Sequence, residues 1–194
     1  MNVALRKSMT LPQFLAWEKL QELRYEFDGI RPVAMAGGAA AHAAVQRNLV
    51  IALGIRLRGK VCQAYGSELK IEVDGHIRYP DAFVVCTRVS PLSTVVSDPV
   101  VVFEVLSDSA THEDLVVKNA EYRATPSIQR YVILQQTHAG AVAFIRRGAD
   151  WVSEIVGGQD TLHIPEIGIQ IPLAEIYADI ELVAKRSEAE GLAI

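Results

Sequence analysis

An apolar run from Val100 to Leu106, interrupted only by Glu104, constrains the fold more than any other stretch of this chain. The run is bounded by Pro99 and Ser107, and its length and composition predict a strand that is covered on both faces of a sheet. A carboxylate inside such a strand is costly, because taking an unpaired charge out of water costs at least several kcal/mol. Glu104 therefore needs a metal ion, a cationic partner or a raised pKa.

A second carboxylate, Asp81, lies at the mouth of the preceding predicted strand, which runs over residues 78–86. Two converging carboxylates at strand ends predict a divalent-cation site, and hard oxygen ligands suit Mg²⁺ or Mn²⁺. Lys118, one predicted helix later, is placed to orient an attacking water or to neutralise developing charge. The residues equally allow a second interpretation, in which Lys118 neutralises a core carboxylate, Glu104, and Asp81 only forms a turn.

Composition restricts the class of protein. The 194 residues fit one domain, over 1–194, and half of them are hydrophobic, which excludes a disordered chain. No apolar run reaches the ~18 residues that span a bilayer, and no signal peptide is evident. A net charge of −4 argues against a general basic coat for nucleic acid, but a local basic cleft stays open. Cys62 and Cys86 form no CxxC pair and are expected as buried thiols in a reducing cytoplasm.

Caps, turns and alternating apolar residues predict one α/β (α+β) domain with a mixed sheet flanked by helices. An N-terminal helix over 10–22 precedes a hairpin that turns at Asp28-Gly29. The later elements are a helix over 41–57, strands over 61–73 and 78–86 joined at Asp74-Gly75, the strand over 100–106, a helix over 111–125, and strands over 131–135, 141–146 and 151–156. The core is expected at about 24–180, followed by a frayed tail over 185–194.

The helix over 111–125 carries two different stripes. Thr111 and Asp114 have the spacing of a capping box at its start. Its apolar stripe is Val116, Ala120 and Ala124, and its polar stripe is Asp114, Lys118 and Tyr122.

Several short motifs follow one another along the chain. They are Tyr25-Glu26-Phe27-Asp28-Gly29, His42, Gly66-Ser67-Glu68-Leu69-Lys70, Arg78-Tyr79-Pro80-Asp81, Phe103-Glu104-Val105-Leu106-Ser107, Asp114, Lys118, Tyr122-Arg123-Ala124 and Pro126-Ser127. This ordered series, over roughly residues 11–179, resembles the Uma family of restriction endonucleases, within the PD-(D/E)XK superfamily. The resemblance implies a restriction-endonuclease-like core, with Pro80-Asp81 as the superfamily's PD and Glu104 as its acidic residue.

The resemblance also implies a site and a reaction. The expected activity is metal-dependent hydrolysis of DNA phosphodiester bonds with Mg²⁺, for which Mn²⁺ could substitute. Asp81 and Glu104 would bind the ion, the Val105 carbonyl would be a third ligand, and Lys118 would assist the attacking water. DNA is the expected partner, no membrane is expected, and a homodimer would suit cleavage of both strands.

The lysine of the superfamily motif is displaced in this chain. Leu106 stands where that lysine is expected, so Lys118 from the next helix is its natural substitute. Lys70, on the polar face of the neighbouring strand, is the rival candidate. Glu26 and His42 also match the family motifs and are accessory candidates, although Glu26 could simply pair across its hairpin and His42 could simply pack.

Two departures from the family pattern affect the expected activity. Asp108 stands where the family usually has proline, and Leu115 stands where it usually has arginine. Losing that arginine would weaken a phosphate contact, which favours an alternative function: a catalytically silent nucleic-acid-binding or regulatory protein of the same fold. A second alternative is a structural protein in which Glu104 and Lys118 form a buried ion pair.

Overall fold

The computed structural model describes residues 8–35, 37–106 and 112–182, with the backbone alone for residues 112–114. Its helices are α1 (Leu11–Glu18), α2 (Ala40–Leu57), α3 (His112–Ala124) and α4 (Leu173–Ile176). Its strands are β1 (Tyr25–Phe27), β2 (Pro32–Ala34), β3 (Gln63–Gly66), β4 (Lys70–Val73), β5 (His76–Arg78), β6 (Ala82–Val85), β7 (Val95–Val96), β8 (Val101–Leu106), β9 (Arg130–Gln135), β10 (Gly140–Arg147), β11 (Asp150–Gly157), β12 (Thr161–Ile164) and β13 (Ile169–Pro172).

The predicted N-terminal helix and hairpin are both present. Thr10 caps α1 through a capping box, because its side chain accepts from the backbone of Gln13 while the Gln13 side chain accepts from the backbone of Thr10. The helix ends at Glu18, earlier than the predicted Glu22. Strands β1 and β2 pair antiparallel around the turn at Asp28-Gly29, where Gly29 has a positive φ.

Two larger sheets build the fold. The five-stranded sheet has the order β2-β1-β5-β4-β7, and its β4–β5 turn is Asp74-Gly75, where both residues have positive φ as a tight hairpin requires. The six-stranded sheet has the order β11-β10-β9-β8-β6-β3. It is mixed, as predicted, because β8 and β9 run parallel while its other neighbouring strands run antiparallel.

Strand β8 lies inside the six-stranded sheet and is covered on both faces. Val101, Phe103 and Val105 belong to the core cluster that includes the buried face of α2. Val102 belongs to a second cluster on the other face, which includes Tyr122 of α3. The apolar run of the sequence therefore forms the buried strand that it predicts, with Glu104 on the face of the second cluster.

The two segments predicted as single strands each divide between the two sheets. Residues 61–73 form β3 of the six-stranded sheet and then β4 of the five-stranded sheet, and residues 78–86 divide into β5 and β6 in the same way. The alternation of side chains along these segments continues through both corners, so the sequence does not show where the chain passes from one sheet to the other. Pro80, which has no N–H to give to a ladder, lies at the second corner, immediately before Asp81.

The two stripes of α3 face opposite ways, with the polar stripe toward the sheet. The apolar stripe of Val116, Ala120 and Ala124 is exposed, whereas Lys118 and Tyr122 turn inward. The tyrosine ring carries far more apolar area than the two alanines, so burying it gains more even though its hydroxyl needs a partner. Thr111 and the side chain of Asp114, on which the predicted capping box depends, lie outside the described residues.

The prediction of two free thiols is wrong. Cys62 and Cys86 form a disulfide. They meet because the β3–β6 register, in which Gln63 faces Val85, places the two cysteines opposite each other one residue further along. Spacing along the chain could not reveal this, since it depends on how the two strands pair. The cytoplasmic location inferred from free thiols loses that support and stays a prediction.

The C-terminal part follows the predicted order. Strands β9, β10 and β11 form consecutive antiparallel pairs, and the β12–β13 hairpin and α4 follow them. The predicted frayed tail over 185–194 lies outside the described residues. None of the helices in the described ranges is both long and apolar enough to cross a bilayer.

Candidate active site

Asp81 and Glu104 line the same cleft, which has a volume of about 460 Å³. Their proximity follows from strand pairing: Ala82 of β6 faces Phe103 of β8, so the next pair along this antiparallel ladder is Asp81 and Glu104. The negative charge of Asp81 is one of the influences that raise the pKa of Glu104. The structure therefore brings together the two carboxylates that the sequence singles out.

Asp81 is held by the backbone of β8 and by a histidine. Its Oδ2 accepts a hydrogen bond from the Val105 backbone N at 2.7 Å and lies 3.2 Å from His42 Nε2. Strand β6 begins only at Ala82, so the polar groups of Val105 extend past its end and are available to side chains. The hydrogen bond to Asp81 raises the pKa of His42, which favours a positive charge on its ring.

Glu104 is partly buried, and the polar groups around it contact one of its two oxygens. Its Oε1 accepts from the Tyr122 hydroxyl at 2.7 Å and lies 3.4 Å from Lys118 Nζ. Burial raises the pKa of Glu104 to about 7; Lys118 opposes this rise, whereas Asp81 and Glu26 add to it. Burial lowers the pKa of Lys118, but the negative charges of Glu104 and Glu26 outweigh this and raise it. Lys118 is therefore a permanent cation in the cleft.

Glu26 brings a third carboxylate from the five-stranded sheet. Its Oε1 lies 3.2 Å from Lys118 Nζ and accepts from the Tyr79 backbone N at 3.1 Å. Its Oε2 lies 3.5 Å from Arg78, whose guanidinium donates two hydrogen bonds to Glu121, at 2.5 and 2.7 Å. Glu26 thus contacts the cleft lysine, instead of pairing only within its hairpin.

Lys70 lies outside the cleft. The polar face expected for it is not exposed, because Lys70 is buried against Glu18, which also accepts a hydrogen bond from the Tyr79 hydroxyl at 2.6 Å. Lys118 is therefore the lysine that reaches the carboxylates. Whether it acts in catalysis stays a prediction, as do the roles of Asp81, Glu104, His42 and Glu26.

The donors in the cleft fit a divalent ion that keeps part of its water. Within 8–35, 37–106 and 112–182, no group of three or more His, Cys, Asp or Glu side chains could hold a metal ion. Asp81 uses Oδ2 and Glu104 uses Oε1 for their contacts with described residues, which leaves Oδ1 and Oε2 for a ligand. Mg²⁺ commonly takes one or two carboxylates and fills its shell with waters, so two carboxylates and the Val105 carbonyl suit it.

Sequence reasoning missed several residues of the cleft. Gln46 on α2 donates from Nε2 to the Asp81 backbone oxygen at 3.0 Å and to Ser67 Oγ at 2.8 Å, which fixes the corner before β6. Tyr131 on β9 also lines the cleft, and nothing in its apolar strand distinguishes it from a core residue. Leu115, where the family usually has arginine, lines the cleft as an apolar side chain.

A family model and two other proteins match most of this chain. The family model Uma2, described as "Putative restriction endonuclease", matches residues 11–174. Two uncharacterized proteins of Synechocystis sp. are similar: slr1290 is 28% identical over 169 residues, covering 85% of this chain and 89% of that protein. The second, sll1609, is 27% identical over 142 residues, covering 70% of this chain and 80% of that protein.

A solved structure has the same fold. The crystal structure of a "putative nuclease belonging to DUF820" from Anabaena variabilis superposes with a TM-score of 0.71, at 17% identity. The match covers 88% of this chain and 98% of that one. The predicted α/β fold, with a mixed sheet flanked by helices, is confirmed.

Proposed function

This chain belongs to the Uma2 family of restriction-endonuclease relatives, and on that basis we propose that its cleft hydrolyses DNA phosphodiester bonds with Mg²⁺. Mn²⁺ could take the place of Mg²⁺. One observation carries the proposal: Asp81 and Glu104 face each other across neighbouring strands in one cleft, and each keeps an oxygen without a partner among the described residues. The negative charge of Asp81 disfavours a charged Glu104, and a divalent ion between the two carboxylates would offset that repulsion.

Asp81, Glu104 and the Val105 carbonyl would hold the ion. When bound, it would polarise the phosphodiester and lower the pKa of a water for attack. The other residues supply charge and position. Lys118, which is 3.4 Å from Glu104, would orient the attacking water or neutralise the charge that develops on phosphate oxygens.

Two residues support these groups without needing to touch DNA. Glu26 fixes Lys118 through a 3.2 Å contact, so the ammonium stays beside Glu104. His42 holds Asp81 at 3.2 Å, which limits the rotation of that carboxylate. Both fit positioning roles, because catalytic geometry depends on side chains whose rotamers are fixed by their neighbours.

The test is Mg²⁺-dependent cleavage of supercoiled, linear and single-stranded DNA by the wild type, Asp81→Asn and Asp74→Asn. In Asp81→Asn the new side chain keeps an oxygen that can accept from Val105 but lacks the charge, so we expect loss of cleavage. Asp74→Asn, in the β4–β5 turn, makes the same chemical change outside the cleft and should cleave normally, since asparagine tolerates a positive φ.

The other outcomes are equally informative. Cleavage that persists in Asp81→Asn would remove the metal-ligand assignments. Absence of cleavage by the wild type, with DNA binding that depends on salt but not on metal, would favour the catalytically silent nucleic-acid-binding protein. If double-stranded DNA is cut on both strands, we expect a symmetric dimer, which sedimentation of the protein on DNA would detect.

A further inference from the structure

The hydroxyl group of Tyr131 is buried beside the proposed site without a hydrogen-bond partner among the described residues. Tyr131 is 0% exposed, yet it is one of the residues that line the cleft. A buried hydroxyl without a partner loses its hydrogen bonds to water and gains none in return, so it costs free energy. Such a group at the floor of a cleft indicates a partner that belongs to a ligand.

The tyrosine ring is fixed, so its hydroxyl cannot simply turn away. Strand β9 runs parallel to β8, with Tyr131 beside Val102. On one side the ring packs edge-on against Tyr122, with centroids 4.8 Å apart, and on the other it stacks on Phe144 at 5.8 Å. The ring thus held lines the same cleft as Asp81 and Glu104.

The chemistry of the hydroxyl restricts what it can bind. Burial first, and then the negative charges of Glu104 and Asp81, raise the pKa of Tyr131 well above its ordinary value. The group therefore stays protonated and has a proton to donate. Tyr122 already donates to Glu104, at 2.7 Å, and Asp81 accepts from Val105 and contacts His42. The remaining oxygens of these two carboxylates are not hydrogen-bonded to the Tyr131 hydroxyl, so its acceptor is expected from outside the described residues.

We propose that Tyr131 is a positioning residue that donates a hydrogen bond to a water in the hydration shell of the divalent ion held by Asp81 and Glu104. The inference rests on the proposed function and deepens it. A water suits the position better than a phosphate oxygen does, because DNA approaches from the open side of the cleft whereas Tyr131 lies at its floor. Mg²⁺ and Mn²⁺ retain several waters when only two carboxylates bind them.

The experiment compares the full-length wild type with Tyr131→Phe and with a matched control, Tyr177→Phe. Tyr177 is a buried tyrosine whose hydroxyl has partners: it donates to the backbone oxygens of Gln135 and Gly140, at 2.6 and 2.9 Å. Each substitution removes one hydroxyl and keeps the ring. Thermal unfolding is measured in EDTA, and binding of Mn²⁺ alone is measured by titration calorimetry, so that no readout requires DNA cleavage.

We expect opposite behaviour from the two variants. In EDTA, Tyr131→Phe should have a Tm at least as high as that of the wild type, because it loses an unpaired polar group, whereas Tyr177→Phe should have a lower Tm. Tyr131→Phe should bind Mn²⁺ about tenfold more weakly, as is usual when a partner in the outer shell of a metal site is removed. Tyr177→Phe should bind it as the wild type does.

Three results would overturn the inference. If Tyr131→Phe binds Mn²⁺ as tightly as the wild type, the hydroxyl does not contact the ion's water, although the proposed metal site would stand. A Tm in EDTA that falls as far as that of Tyr177→Phe would mean that the hydroxyl has a structural partner. A wild type that binds no Mn²⁺ would overturn this inference and the metal-dependent function together.

Discussion

Replacing Glu104 with glutamine should remove a pH dependence of stability that the cleft imposes between about pH 5 and pH 7. Burial raises the pKa of Glu104 to about 7 in the folded protein, against 4.5 for an ordinary glutamate. Between these two values the folded state keeps a proton that the unfolded state has lost. The contribution of Glu104 to stability is therefore fully present below about pH 4.5 and is lost as the pH rises through about 7.

The size of the effect follows from the two pKa values. At about 1.36 kcal/mol for each pKa unit, ionised Glu104 lowers the free energy of unfolding by at most about 3 kcal/mol at pH 8. Glutamine has nearly the same shape, can accept from the Tyr122 hydroxyl and has no proton to lose. The variant should therefore gain on the wild type as the pH rises, up to that limit.

The assay is urea unfolding of both proteins from about pH 5 to pH 8, in EDTA and in excess Mg²⁺. Glu175→Gln is the control. The hydrogen bond from Arg56 lowers the pKa of Glu175, so removing the charge of Glu175 should lower the free energy of unfolding, whereas removing that of Glu104 should raise it. Under the proposed function, excess Mg²⁺ should flatten the wild-type profile and leave that of Glu104→Gln unchanged. A constant difference between Glu104→Gln and wild type at every pH in EDTA would refute the raised pKa.

The remaining predictions concern the two lysines and the disulfide. Lys118→Ala leaves the partly buried Glu104 without its cation, whereas Glu26 keeps Arg78, so we expect urea unfolding at pH 8 to show a loss of about 1–3 kcal/mol; unchanged stability would contradict the ion-pair geometry. Lys70→Met leaves buried Glu18 without its cation, so its free energy of unfolding should fall by about 3–5 kcal/mol. Its affinity for Mn²⁺ in calorimetry should equal that of the wild type, and weaker binding would mean that Lys70 contributes to the metal site. Dithiothreitol should lower the free energy of unfolding by about 3 kcal/mol, because the Cys62–Cys86 bridge closes a loop between residues 24 apart, and a Cys62→Ser/Cys86→Ser double variant should not respond to it.

The sequence predicts the region around Glu104 because the free-energy cost of a carboxylate in an apolar strand depends on neighbouring residues alone. An acid inside an apolar strand requires a partner whatever the rest of the chain does, so Glu104 could be identified from the residues beside it. The lysine that reaches it could be placed too, since a helix that directly follows a strand packs back over the same sheet. The cleft therefore contains Asp81, Glu104 and Lys118, as expected.

The features that the sequence did not predict depend on pairing between distant segments. Alternation has the same period in both sheets, so it could not show that the chain changes sheet before Lys70 and again at Pro80. The disulfide depends on the β3–β6 register. The unpaired hydroxyl of Tyr131 could not be predicted either, because a tyrosine in an apolar strand fits a core equally well with its hydroxyl paired or unpaired.

The protonation of the cleft leads to a last prediction about metal binding. Burial raises the pKa of Glu104 to about 7, and the hydrogen bond to Asp81 raises the pKa of His42, so both groups favour protons at the place where a divalent ion would bring two charges. An ion between Asp81 and Glu104 would repel these protons, and we expect Mn²⁺ binding near pH 6.5 to release protons. Calorimetry in buffers of different ionisation enthalpy measures this number directly. Fewer protons should be released in His42→Gln than in the wild type, whereas binding without proton release would mean that the ion lies elsewhere.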